Sequence, residues 1–340
     1  MSEIIKNTHE PVLGDGYSKE DFVFVQQGER LNDKAYKTTS YWRDVWTHFS
    51  KNRGALVGFV IILVIIIFAI IGPMISGHAY DTIIIEHQSL PPKIPGIFGG
   101  VERGIDVYAQ KGVTDVNYWF GTDYNGRDLF TRVWQGTRIS LLVAFVAVII
   151  DIAIGMSYGL ISGYFGGKVD MVMQRFAEIL NGIPTLVIVT LLGLVLPSGI
   201  SSIIFALMIT GWIGMARISR AEVLKLKESE YILASKTLGA KDFAIIFKDI
   251  LPNIFGQLVI MAMFSIPNAI FTEAFLSFVG LGIQPPQASL GSLISDGYKS
   301  LTIHPYQIAT PVIVLALLML SFNLFADGLR DAFDPSMKQM

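Results

Sequence analysis

Long apolar runs separated by polar segments dominate the chain. Ala55–Ile75 carries no charge, Ile139–Ile161 only Asp151, and Ile179–Leu196 none but with Pro184 inside. Ile200–Ala216 is shorter and uncharged, Ile254–Thr272 ends at Glu273, and Ile308–Ala326 ends at Asp327. A helix rises about 1.5 Å per residue, so a hydrocarbon core of about 30 Å takes about 20 such residues. Lipid offers the backbone no hydrogen-bond partner, so each run must be helical. The pattern predicts an all-α integral membrane protein, a six-helix transmembrane bundle. Pro184 is tolerable in a span because neighbouring helices can satisfy the freed carbonyl. Leu196-Pro-Ser-Gly-Ile200 reads as a tight turn between the third and fourth runs.

The runs divide the chain into a polar tail 1–53, a first span 54–76, a loop 77–138, a five-helix core 139–330 containing a polar segment 217–252, and a tail 331–340. Only 16% of the 340 residues are charged, and the net charge is −2. A soluble domain carries about 25%, and so small a net charge gives no argument for nucleic acid. Residues 1–53 are no secretory signal, which needs a short basic start and then an apolar run. There is no cysteine, so disulfides and thiolate metal sites are excluded. The five histidines are scattered without ligand spacing, and no metal site is expected. With a cytoplasmic N-terminus, segments 163–178, 217–250 and 330–340 hold eleven Lys/Arg, whereas 197–199 and 276–307 hold only Lys299. The bias of Lys and Arg toward the cytoplasm then places both termini inside and 77–138 outside. Residues 88–105, rich in Pro and Gly, read as an irregular surface loop.

The segment 217–253 is polar yet keeps an apolar rhythm. Val223, Leu224 and Leu226 continue a helix out of the fourth span. Ser229 can cap a short helix through Leu238, with Glu230 in its first turn. Gly239 stands where a helix ends on a left-handed residue. Asp242 can cap a third helix running into the fifth span. Such a stiff elbow suits a docking surface for a cytoplasmic partner, although a solvated hairpin has the same pattern.

The run Tyr231-Ile-Leu-Ala-Ser-Lys-Thr-Leu-Gly239, followed by Ile250-Leu-Pro252, resembles the coupling loop of bacterial ABC importer permeases. Leu233 and Ser235 depart from the family's pattern, whereas Ala234 and Gly239 keep it. Gly121-Thr-Asp-Tyr-Asn-Gly-Arg-Asp128, Gly163-Tyr-Phe-Gly-Gly-Lys-Val-Asp170, Glu273-Ala-Phe-Leu-Ser-Phe-Val-Gly-Leu-Gly282 and the ending Phe322 to Pro335 resemble the peptide and nickel branch, and among its members the C-type permeases of oligopeptide and dipeptide importers. The resemblance spans about residues 40–336. It implies a type I importer permease in a bacterial cell membrane. It also implies a homologous B-type permease, two ATP-binding subunits holding ATP and Mg, and an extracytoplasmic peptide-binding protein. Glu230, Tyr231, Ala234, Ser235, Gly239, Ala240, Lys241 and Asp242 become the expected ATPase-docking residues.

No Gly-x-x-x-x-Gly-Lys-Ser/Thr loop is present, so the chain is expected to be a pore-forming subunit with no ATP site or enzyme activity of its own. A carboxylate at mid-bilayer costs about 2.5–3.5 kcal/mol on insertion scales, so Asp151 must face a bundle interior or water. Asp151, with Glu178 and Glu273 at span ends, is a candidate for the translocation pathway; hydrogen bonding to a neighbouring helix is the alternative. Phe275 and Phe278 are gate candidates, with interface packing the alternative, and Trp119, Trp134 and Trp212 are candidate belt aromatics. Asp327 and Arg330 are spaced to pair on one helical face. The expected function is inward passage of oligopeptides. Alternatives are import of dipeptides, nickel or another small solute by the same machine, or ion-coupled transport through Asp151.

Overall fold

The computed structural model describes residues 41–196 and 199–333, and the fold is that of the compact unit beginning at Asp44. The tail 1–40, most of the tail 331–340 and the Pro197-Ser198 part of the expected turn lie outside the described residues. The helices are α1 Tyr41–Lys51, α2 Arg53–Ile75, α3 Val107–Lys111, α4 Leu129–Ile150, α5 Ser157–Phe165, α6 Gly167–Asn181 and α7 Thr185–Val195. They continue with α8 Ile200–Thr210, α9 Ile213–Leu226, α10 Glu230–Thr237, α11 Asp242–Ala244, α12 Leu251–Phe278, α13 Leu290–Lys299 and α14 Tyr306–Phe333. Five continuous helical stretches are long and apolar enough to cross a bilayer, and the α6–α7 pair makes a sixth if its two arms count as one span.

The first of these, α2, is apolar on every side, yet only one stripe is buried: Ala55, Gly58, Ile62, Ile65, Ala69 and Gly72. Steps of three and four residues place them on one face. Small residues let backbones approach, which is how helices associate where lipid is as apolar as leucine. A Cβ on Gly58 would stand 2.7 Å from the Ser321 carbonyl of α14, and one on Gly72 would strike the Trp134 ring of α4. The other faces of α2 are exposed and apolar.

The second span begins at Leu129, ten residues before the expected Ile139. Asp128 caps it, accepting from the Phe130 and Thr131 amides. Hydropathy passes over this first part because it contains Thr131, Arg132, Thr137 and Ser140. All four are buried with partners, so they do not meet lipid. A π-helical turn, Asp151–Met156, interrupts the span before α5.

The third run is not one straight span. α6 and α7 are bent by 76° at Gly182-Ile-Pro184, and Pro184 is the residue preceding α7. Proline has no N–H and its ring clashes with the carbonyl four residues back, so the helix ends here. The fourth run breaks at Gly211-Trp212 and then continues as α9 to Leu226, past the expected Ala216. The fifth runs from Asp242 to Phe278 with a second π-helical turn at Ile245–Ile250. Glu273 is therefore inside α12 rather than at a span end.

α5 and α9 run side by side along a seam of glycines. Cβ atoms on Gly155, Gly159 and Gly163 would meet the Trp212 carbonyl at 2.6 Å, the Ser219 Cβ at 2.5 Å and the Val223 Cβ at 2.9 Å. The seam is reinforced by Arg220, which donates to both oxygens of Asp170 at 2.6 and 2.5 Å, and by Ser162, which donates to Asp170 at 2.5 Å.

Two short hairpins give the expected irregular loop some regular structure. β1 Lys93–Ile94 pairs antiparallel with β2 Phe98–Gly99, and β3 Val101–Glu102 with β4 Ile105–Asp106. The loop is pinned by Gly121–Asp128. Thr122 donates to the His87 carbonyl and accepts from the Leu90 amide, Asp123 takes the Arg127 Nε at 2.7 Å, and Gly126 is so close to the Ile84 carbonyl that no Cβ would fit. Trp134 and Trp212 are buried, packed on Phe68 and Tyr158, rather than placed as belt aromatics. Asp327 and Arg330 are exposed and form no ion pair among the described residues.

Candidate functional sites

The elbow between α9 and α12 is anchored by one side chain of α10. Ile232 is buried against Val223, Ile245, Ile246 and Ile250. Everything else on this eight-residue helix faces outward or partly so. Its C-terminus closes in the two-bond pattern that a left-handed residue allows. The Gly239 amide donates to the Lys236 carbonyl at 3.0 Å and the Ala240 amide to the Ser235 carbonyl at 3.1 Å, with Gly239 at φ +81°.

The two expected caps differ in detail. The Ser229 hydroxyl donates back to the Leu226 carbonyl at 2.6 Å and caps nothing in α10. Asp242 is the first residue of α11, preceded by Lys241, and accepts from the Tyr164 hydroxyl at 2.7 Å. That bond ties the elbow to the end of α5.

Glu230, Tyr231, Ala234, Gly239, Ala240, Lys241 and Asp242 are exposed and Ser235 is partly so. Around them lie large apolar side chains that sequence reasoning did not select: Leu233, Leu238, Phe243 and Phe247, with Leu238 88% exposed. Their signal was present as apolar residues off the anchoring face of Ile232, but it needed the helix orientations to be read.

A second candidate lies at mid-span. Asp151 opens the π-helical turn and is 5% exposed. It lines a cavity of about 50 Å³ with Ile150, Gly211, Ser265, Asn268 and Thr272. The last three come from successive turns of α12, on one face. Both interruptions, the π-helical turn and the break before α9, border this space.

The other pathway candidates lie elsewhere. Glu178 is on exposed α6 surface, paired with Arg175 at 2.7 Å. Glu273 is fully buried, and its two oxygens accept from Ser140 at 2.8 Å and Ser277 at 2.7 Å. It joins α4 to α12 rather than lining an open space. Phe275 and Phe278 project from the same end of α12, 46% and 38% exposed, and Phe278 meets Tyr298 of α13 edge-on.

A model of the family described as binding-protein-dependent transport system inner membrane component matches residues 155–339. A model of the N-terminal transmembrane domain of oligopeptide transport permease C matches residues 40–92. The oligopeptide transport system permease protein OppC of Bacillus subtilis strain 168 is 40% identical over the whole of both chains. The dipeptide transport system permease protein DppC of Lactococcus lactis subsp. cremoris is 45% identical over 93% of this chain and 97% of its own. A solved inward-facing MetNI methionine ABC transporter superimposes with a TM-score of 0.50 at 20% identity, over 61% of this chain and 96% of that one. That likeness bears on the fold alone.

Proposed function

We propose, from the premise that this chain belongs to the family of binding-protein-dependent transport system inner membrane components, that it is the C-type permease subunit through which peptides pass inward. Peptide cargo is the reading favoured by relatives named as oligopeptide and dipeptide permeases along nearly their full length. The machine is completed by a homologous B-type permease, two ATP-binding subunits that hold ATP and Mg, and an extracytoplasmic peptide-binding protein. The Lys/Arg bias puts the elbow and both termini in the cytoplasm and the 77–128 loop outside.

The observation that carries this reading is the elbow. Leu233, Leu238, Phe243 and Phe247 form exposed apolar surface on a polar segment, and Ile232 fixes that surface to the helices leading to α9 and α12. Apolar surface of this kind, edged by polar side chains, suits a protein partner. An ATP-binding subunit docked there would push α10. The push would pass to α9, and through the glycine seam and the Asp170–Arg220 pair to α5 and α6.

The test is peptide uptake beside ATP hydrolysis and co-purification of the ATP-binding subunits. Leu238→Asp and Gly239→Val should leave both permeases paired in the membrane, yet bind the ATP-binding subunits weakly or hydrolyse ATP without transport. A side chain at Gly239 costs about 1 kcal/mol or more in the left-handed conformation and re-aims α10. Wild-type uptake with full ATPase binding in both variants would refute the docking role. An externally active reporter should work within 86–115 and be silent after Met340; the reverse would overturn the orientation.

A further inference from the structure

We propose that the Asp151 cavity is a binding site for a primary ammonium group, the α-amino or lysine head of a passing peptide. This rests on the peptide-import reading above. The cavity is lined by one carboxylate and neutral polar side chains that can accept hydrogen bonds. The Asp151 carboxylate lines it, and no basic side chain does. The Thr272 hydroxyl spends its proton on the Asn268 carbonyl at 2.8 Å, so it turns lone pairs toward the space. The Ser265 hydroxyl lies within hydrogen-bond reach of both the Met261 carbonyl, at 3.2 Å, and the Asp151 carboxylate, which leaves the carboxylate's other lone pairs open to a ligand. The Asn268 side chain is exposed and makes no hydrogen bond among the described residues, so its amide oxygen is free to accept.

An ammonium group has three N–H donors and no acceptor, and a carboxylate, an amide oxygen and a hydroxyl lone pair answer them one each. One water needs about 10–15 Å³ of such space, so about 50 Å³ takes an ammonium head with its hydration reduced to a water or two. A quaternary ammonium is bulkier and offers no N–H. A cation there also removes the cost of a bare carboxylate at mid-bilayer. The cavity lies between the π-helical turn and Gly211, so a bound group bridges the α4–α5 and α8–α9 spans to α12.

The test uses the purified complex of both permeases with their ATP-binding subunits. Its unfolding midpoint is measured in methylammonium chloride and in choline chloride at equal ionic strength. Methylammonium should raise the midpoint of the wild type by about 2 °C over choline, as expected for a ligand in severalfold excess over its dissociation constant. Asp151→Asn should abolish the difference, and Asn268→Ala and Thr272→Val should reduce it. No difference in the wild type, or the same difference in Asp151→Asn, overturns the proposal. So does an equal rise in potassium chloride, which would mark an alkali-ion site. If Asp151→Asn does not assemble, Asn268→Ala and Thr272→Val decide, and an unchanged response in both overturns the site. A complex that responds to methylammonium but takes up no peptide defeats the import reading. One that imports peptide without the response defeats only this site.

Discussion

Ser140 of α4 and Glu273 of α12 are 133 residues apart in the chain and hydrogen-bonded at 2.8 Å in a fully buried contact. The contact is built on close approach. Gly136, one turn before Ser140, lies against the backbone of Ser289, and Gly291 lies against that of Ala274. Glu273 thus joins α4, α12 and the start of α13 at one point.

Removing the carboxylate should therefore weaken three elements together. Glu273→Ala leaves buried Ser140 and Ser277 hydroxyls without their acceptor, at about 1–3 kcal/mol for each unsatisfied group. The unfolding midpoint of the purified complex should fall by several degrees. Glu273→Gln keeps an acceptor oxygen and should lie much nearer the wild type. Equal midpoints for wild type and Glu273→Ala would show that the cluster does not hold these helices.

The glycine seam predicts a position-specific effect of side-chain volume. Gly159→Val drives a side chain into the Ala216 carbonyl and Ser219. Overpacking costs about 1–3 kcal/mol in cores, and here the obstacle is backbone that cannot turn aside. The variant should lose thermal stability and yield of assembled complex. Gly193→Ala, on α7 with open space around it, should have little effect. Similar losses in both would point to a general cost of replacing glycine rather than to the seam.

Asp170 and Arg220 should behave as a pair. Asp170→Arg or Arg220→Asp alone places like charges against each other where the side chains are only 15% and 31% exposed. Each single variant should reduce peptide uptake more than it reduces ATP hydrolysis, because the link from α9 to α6 is cut. The double exchange should recover a good part of both. Absence of recovery would mean that Ser162 and Gln174, which share the cluster, require the native polarity.

The loop 77–128 should loosen in mild acid through His87. Its Nδ1 lies 2.6 Å from the Tyr118 hydroxyl. Burial pushes the Tyr118 pKa up to about 12, so the phenol stays protonated, and the direction of the bond follows the His87 tautomer. Burial lowers the His87 pKa, against an opposing pull from Glu86. A histidine with a depressed folded pKa contributes stability that is complete above its unfolded value of about 6.5. That stability is lost as pH falls through this value toward the folded one. Limited proteolysis of the loop should therefore be faster at pH 5.5 than at pH 7.5, and the difference should shrink in His87→Gln. An undiminished difference in that variant would assign the acid effect to another group.

The sequence by itself determined which runs are apolar enough to cross a bilayer, because hydrocarbon tolerates no unpaired backbone and demands continuous apolar helices. It also determined the left-handed end of α10, since Gly239 directly after a short helix-forming stretch is a local signal. Pro184 was equally visible, but whether it bends a helix or ends it depends on what surrounds it, and only the structure placed the 76° break there.

Tertiary structure decided everything that turns on a partner distant in the chain. Leu129 opens a span despite the polar residues after it, because Arg132 and Ser140 find acceptors on distant parts of the chain. Glu273, which looked like a pathway carboxylate at a span end, is instead enclosed by serines from two helices. Asp151 and the side chains of Ser265, Asn268 and Thr272 come together only when α4 and α12 pack. Hydropathy scores each residue against lipid or water alone. A buried hydrogen bond is a third environment, and its members are set by which helices touch.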